Sequence, residues 1–261
     1  MKREKWPLIF IGLVLVFFYA PIAVLVLNSF NTSRFGGEWE GFTLDWYRKL
    51  ADSDEIMESL MISLKIAVLA SLTSMVLGTL GALALHRFRG RLQRLHFGLI
   101  TVPLVMPDIL MGVSLLIFFV ALSVPTGFMT IWIAHVTFCL SYVVMVMLAR
   151  LQDFDTTLLD AARDLGANRW QTTRRVLLPL LAPGIIAGGL LAFTLSIDDF
   201  VITFFVQGAD STTLPLRIYS MMKGSQKLPV INALSALLLL VTFAAVAVSF
   251  RLTTRSRPSS S

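Results

Sequence analysis

Apolar residues in this chain gather into long runs divided by short polar stretches. The runs fall at Pro7–Leu27, Leu60–Leu85, Phe97–Leu122, Phe128–Ala149, Leu181–Val206 and Val230–Phe250. Each is near or above the length of about 20 apolar residues that a helix needs to cross a bilayer core. Within that core every backbone polar group must be satisfied internally, which leaves helices or a closed barrel. A barrel would show segments of about ten residues with alternating polarity, and no such alternation runs here. The pattern predicts an all-α integral membrane protein with six transmembrane helices forming a single domain over residues 1–261.

The first run invites comparison with a secretory leader, because it follows the basic start Met1-Lys2-Arg3-Glu4-Lys5. Its apolar stretch exceeds the 7–15 residues of a leader's core, and no A-x-A-like cleavage site follows it. Pro21 sits where such a site would begin. A retained helix is expected.

Composition agrees with the spans: 56% of residues are hydrophobic and only 15% are charged, against about 25% in soluble domains. The net charge of +6 reads as a topology signal, since Lys and Arg concentrate on the cytoplasmic side of membrane proteins. With the N-terminus inside, the inner segments hold Lys2, Arg3, Lys5, Arg87, Arg89, Arg91, Arg94, Arg150, Arg163, Arg169, Arg174, Arg175, Arg251, Arg255 and Arg257. The outer segments hold Arg34, Arg48, Lys49, Arg217, Lys223 and Lys227, and Lys65 is placed to snorkel from the second span. Both termini are therefore expected in the cytoplasm. A nucleic-acid interface would need a basic face on a soluble domain, so no nucleic acid is expected as a partner. The single cysteine, Cys139, excludes an intrachain disulfide, and His86, His96 and His135 are too scattered for a metal motif. No P-loop glycine motif is present. An intramembrane enzyme would need a nucleophile–base set or a metal site, and neither is found.

The long loop from Arg150 to Leu180 has a helical pattern of its own. Asp155-Thr156-Thr157 offers caps for a helix start. Leu158, Leu159, Ala162 and Leu165 follow at helical spacing, and Gly166 suits a left-handed helix end. A second short helix is expected over Asn168–Leu177, before Pro179. By composition, helix–glycine–helix fits a docking element and an amphipathic helix lying on the headgroups equally well.

Three carboxylates lie inside the apolar runs: Asp108, Asp198 and Asp199. A charge at the bilayer centre costs about 2.5–3.5 kcal/mol or more, so such residues usually face a cavity or a partner. Asp108 follows Pro103 and Pro107, which should break or kink the third span, and interrupted helices are where transporters place substrate sites. Asp198 and Asp199 fall about 17 residues into the fifth span, in its outer half. As helix neighbours they point about 100° apart, so one facing the path leaves the other to cap or pair. Phe138, Tyr142, Phe193 and Phe200 offer ring faces for ammonium groups, although most of the 19 Phe are expected simply to pack. Gly78, Gly81, Gly188 and Gly189 permit close helix approach.

The segment Asp160-Ala161-Ala162-Arg163-Asp164-Leu165-Gly166-Ala167, followed by Val176-Leu177-Leu178-Pro179, resembles the "EAA" loop of ABC-importer permeases. Asp160 stands in place of Glu and Val176 in place of Ile, with the spacing from the glycine kept. Further stretches are similar to the polyamine branch of that family, in the manner of its second permease subunit. They are Asn28-Ser29-Phe30-Asn31, Gly41-Phe42-Thr43, Trp46-Tyr47, Met106-Pro107-Asp108, His135-Val136-Thr137-Phe138, Thr194 to Phe200 and Leu214 to Ser220. The resemblance implies a type I permease in the bacterial inner membrane. It implies as partners a second homologous permease, two ATPase subunits, a periplasmic polyamine-binding protein and membrane lipid. It implies no catalysis and no cofactor on this chain, with ATP and Mg on the ATPase. Asp160, Ala161, Ala162, Gly166, Ala167 and Pro179 become the expected coupling contacts, and Asp108, Asp198, Asp199, Phe138 and Tyr142 the expected substrate path. Loops 30–59 and 207–229 become the docking regions for the binding protein. A permease of this architecture for an amino acid, opine or cationic sugar derivative, or a passive assembly subunit, would share the loop. The membrane carboxylates favour a cationic cargo.

Overall fold

The computed structural model describes residues 6–34, 38–88, 90–152, 154–223 and 228–255. Lys2, Arg3, Lys5, Arg89, Lys227 and Arg257 of the orientation argument lie outside them, as do short parts of both expected docking loops. The order of elements is α1 (Trp6–Asn28), α2 (Asp45–Ala51), α3 (Asp54–Arg87), α4 (Arg91–Val105), α5 (Asp108–Ala121), α6 (Phe128–Gln152), α7 (Thr157–Asp164), α8 (Arg169–Thr172), a π turn (Thr173–Leu177), α9 (Leu178–Ile197), α10 (Val201–Val206), α11 (Leu214–Met222) and α12 (Leu228–Arg255).

Among the described residues four stretches are long and apolar enough to cross a membrane: Ile9–Asn28, Asp54–Arg87, Phe128–Gln152 and Arg169–Ile197. Leu92–Val105 and Asp108–Ala121 together make a fifth, bent by 115°. The sixth apolar run begins α12, where Leu228–Leu240 is a shorter apolar helix. Two of the six expected spans are thus interrupted. The third is two helices. Pro107 has no backbone N–H, and the residue before a proline is pushed out of the helical region; Met106 is accordingly extended, at φ −73 and ψ 131. Pro103 does not end the helix, since α4 continues to Val105. The fifth run also does not reach Val206 as one helix. It stops at Ile197, and α10 starts at Val201.

The chain forms two compact units, Met1–Met57 with Ile218–Ser261, and Glu58–Arg217. In the first, the segment after α1 folds back on itself through Asn31. The Asn31 side chain donates to the Glu38 carbonyl at 2.7 Å and accepts the Glu40 N–H at 3.0 Å, while the Trp46 indole N–H donates to the Asn31 carbonyl at 2.7 Å. Phe30 stacks on Phe42, with ring centres 5.5 Å apart, and the Ser29 hydroxyl meets the Tyr47 hydroxyl at 2.7 Å. The expected docking region 30–59 therefore contains a small folded element. α12 packs on α1 and α2 in the same unit.

In the second unit α6 packs along α9. Its face of Ala134, Cys139, Val143, Val144 and Met147 is fully buried. Glycines allow the approach. A Cβ on Gly78 of α3 would lie 2.7 Å from the Val143 side chain, and one on Gly188 of α9 would lie 3.2 Å from it. The Ser71 hydroxyl donates to the Gly189 carbonyl at 2.8 Å, tying α3 to α9.

Candidate permeation and coupling sites

Both interruptions bring a carboxylate to a helix end. Asp108 opens α5 directly after Pro107 and is exposed. A negative charge in the first turn is favoured by the helix dipole. Asp198 caps the C-terminus of α9 and is also exposed. The helices that follow the two breaks pack together: a Cβ on Gly112 of α5 would lie 2.7 Å from the Phe205 ring and 3.3 Å from the Ile202 Cα of α10. Gly112 is one turn after Asp108, and Ile202 is four residues after Asp198.

Asp199 has a different environment. Its carboxylate accepts the N–H groups of Ile202 at 3.3 Å and Thr203 at 2.8 Å, and the Thr203 hydroxyl at 2.8 Å. First-turn N–H groups have no partner within their own helix, and Asp199, the residue before the N-cap Phe200, satisfies two of them in α10. His135 of α6 completes the arrangement. Its Nδ1 lies 2.7 Å from the Ser196 hydroxyl and its Nε2 lies 2.9 Å from the Thr203 hydroxyl and 3.4 Å from the Asp199 carboxylate. The His135 and Asp199 side chains are only 1% and 9% exposed.

Phe138 is buried and stands edge-on to the His135 ring, with centres 5.4 Å apart. Tyr142 is half-buried against the same core. The structure thus leaves Asp108 and Asp198 open, and takes Asp199 and Phe138 into the packing around His135. Ser196 and Thr203 did not stand out in the sequence, because hydroxyls in apolar helices are common and usually satisfy themselves on the preceding turn. His135 stands in no ligand spacing, because its partners lie 61 and 68 residues away.

The loop between α6 and α9 has the expected helix, glycine and second helix. Asp155 accepts the Thr157 N–H at 2.9 Å. This hydrogen bonding, from the Thr157 side chain and backbone, holds the Asp155 carboxyl below its ordinary value. At the other end of α7, Gly166 has φ +86. Its N–H donates to the Arg163 carbonyl at 2.8 Å, and the Ala167 N–H donates to the Ala162 carbonyl at 3.0 Å. That pair of bonds is the Schellman helix end. The second helix is shorter than the expected Asn168–Leu177. A four-residue turn capped by Asn168, which accepts the Gln171 N–H at 2.9 Å, widens into the π turn before α9. No residue of α7 is buried. Asp160, Ala161, Gly166 and Pro179 are exposed, and Ala162 and Ala167 are half-buried. Leu165 is 89% exposed.

Residues 74–258 match the sequence profile described as "binding-protein-dependent transport system inner membrane component". The chain belongs to that family of multi-pass importer permeases, and within it to the spermidine/putrescine permeases. It is 41% identical over 240 residues to the spermidine/putrescine transport system permease protein PotC of Escherichia coli K12, covering 92% of this chain and 90% of that one. It is 43% identical over 244 residues to the putrescine transport system permease protein PotI of the same strain, covering 91% and 86%. The fold matches a bacterial ABC transporter involved in the import of the acidic polysaccharide alginate, with TM-score 0.71 and 16% identity over 99% of both chains. It also matches the MetNI methionine ABC transporter in an inward-facing conformation, with TM-score 0.63 and 18% identity over 79% of this chain and 100% of that one. The fold is therefore that of ABC-importer permeases.

Proposed function

We propose that the chain is the permease half of an ATP-driven polyamine importer, working beside a second homologous permease, two ATPase subunits and a periplasmic polyamine-binding protein. ATP and its Mg belong to the ATPase, and this chain holds no cofactor and performs no catalysis. The observation that carries the reading is an exposed carboxylate at each interrupted span, in a chain 41% identical to a spermidine/putrescine permease. Polyamines are linear cations at neutral pH. A carboxylate beside the path replaces part of an ammonium's hydration with a charge-assisted hydrogen bond. The open end of α9 adds to this, because the last carbonyls of a helix lack intrahelical partners and carry its negative pole.

Coupling runs through α7, the Gly166 turn and α8, with Asp160, Ala161, Ala162, Gly166, Ala167 and Pro179 facing the ATPase. The segments around 30–59 and 207–229 receive the binding protein outside, and both termini lie in the cytoplasm. The test is uptake of radiolabelled putrescine and spermidine by cells carrying the full set of subunits, with Asp198→Asn and Asp108→Asn variants beside the unaltered chain. Loss of uptake in either variant, with the complex assembled and hydrolysing ATP, supports a cation contact. Full uptake in both moves the contact to the partner permease. No uptake by the unaltered set points to a different solute.

A further inference from the structure

The proton directions around His135 follow from its partners. Thr203 has one hydroxyl proton, and it goes to the Asp199 carboxylate at 2.8 Å. Toward His135, 2.9 Å away, the Thr203 oxygen can then only accept, which puts the ring proton on Nε2. In the neutral ring Nδ1 is then the acceptor for Ser196, whose hydroxyl has no other hydrogen-bond partner among the described residues. A directed chain results: Ser196 donates to His135, His135 to Thr203, and Thr203 to Asp199. It begins on the last turn of α9 and ends on Asp199, whose carboxylate accepts first-turn N–H groups of α10. One side chain of α6 therefore grips both sides of the unwound Asp198–Phe200 link.

The consequence falls on the two adjacent acids. Asp199 spends its lone pairs on the N–H groups and hydroxyl of α10, in a nearly closed environment. Asp198, next to it, is turned outward at the negative end of α9. We propose that His135 is a positioning residue for permeation, holding the α9–α10 break so that Asp198, and not Asp199, presents its carboxylate to the cation path. The part concerning the cation rests on the polyamine reading above; the part concerning the geometry does not.

Two measurements on the assembled transporter separate these parts. The first is chemical and needs no substrate. Asp198→Cys and Asp199→Cys are made singly and treated with a water-soluble, positively charged thiol reagent, with modification read by mass on this chain. The only native cysteine, Cys139, is buried. Position 198 is expected to react and position 199 to resist. His135→Leu is expected to change the ratio of the two rates by about tenfold, the scale of one lost hydrogen bond to a charged group. Equal reactivity at both positions, or a ratio untouched by His135→Leu, overturns the positioning role.

The second measurement is polyamine uptake. Thr203→Val removes the bridging hydroxyl at constant volume, and Thr203→Ser keeps it. The valine variant is expected to lower the maximal uptake rate several-fold with the complex intact, and the serine variant to restore it. His135→Gln, whose amide nitrogen falls near the Nε2 position, is expected to keep more uptake than His135→Leu. If Val and Ser behave alike, or Gln and Leu alike, the chain does not serve permeation. If the unaltered transporter takes up no polyamine while the thiol pattern appears as expected, the substrate reading fails and the positioning of Asp198 stands.

Discussion

Val143 shows how finely single side chains set the packing of the second unit. It is fully buried on α6 and reaches a glycine on each side, Gly78 of α3 and Gly188 of α9. Apolar burial gives little drive between helices in lipid, where the surroundings are as apolar as the side chains, so close backbone approach and interhelical hydrogen bonds matter more. A Cβ at Gly78 would sit within 2.8 Å of two Val143 carbons, which requires the helices to separate. Gly78→Val should therefore behave as overpacking, at about 1–3 kcal/mol. It should lower the yield and melting temperature of the purified transporter. Gly98→Ala, where nothing lies within 4 Å, should change neither. An equal effect of the two would show that the contact carries no weight.

At the scale of elements, the turn after α7 and the break after α9 contrast. A Cβ at Gly166 would meet nothing within 4 Å, so any penalty there comes from its φ of +86. A left-handed backbone costs an L-residue about 1–2 kcal/mol, and Asn tolerates it better than a β-branched residue does. Gly166→Val is expected to lower polyamine taken up per ATP hydrolysed, and Gly166→Asn to keep most of it; identical ratios in both would separate coupling from the turn. This turn was legible in the chain because everything that makes it is local: apolar residues at helical spacing, then a glycine, then a second helical stretch from Asn168. The break at Asp198–Phe200 was not. Thr194 to Val206 reads as one apolar stretch with two acids, and the side chain that spans the break, His135, comes from another element. The break at Pro107 was legible because proline's missing donor acts locally, whereas Pro103, one turn earlier, is absorbed within α4. Periodicity could say only that Asp198 and Asp199 point apart. What sets Asp199 apart from Asp198 is its bonding to Ile202 and Thr203 on the next turn and the approach of His135 from α6.

For the molecule as a whole, the distribution of Lys and Arg makes a claim about sidedness that labelling can test. Asp52 follows α2 and is exposed, in the unit that holds α1 and α12. Asp164, the last residue of α7, is exposed in the other unit. Basic residues crowd the loop that holds Asp164, with Arg150, Arg163, Arg169, Arg174 and Arg175, and positive charge near span ends marks the cytoplasmic side. The only native cysteine is buried, so a single introduced thiol reports its own position. In intact cells whose outer membrane has been opened, Asp52→Cys should react with a membrane-impermeant thiol reagent and Asp164→Cys should not. After the inner membrane is permeabilised, both should react. Because a chain docked on an ATPase could shield Asp164→Cys, the permeabilised sample is also measured without the ATPase subunits. Reaction of Asp164→Cys in intact cells would invert the topology. It would also remove α7, the Gly166 turn and α8 from any role in receiving the ATPase, since ATP is hydrolysed inside the cell.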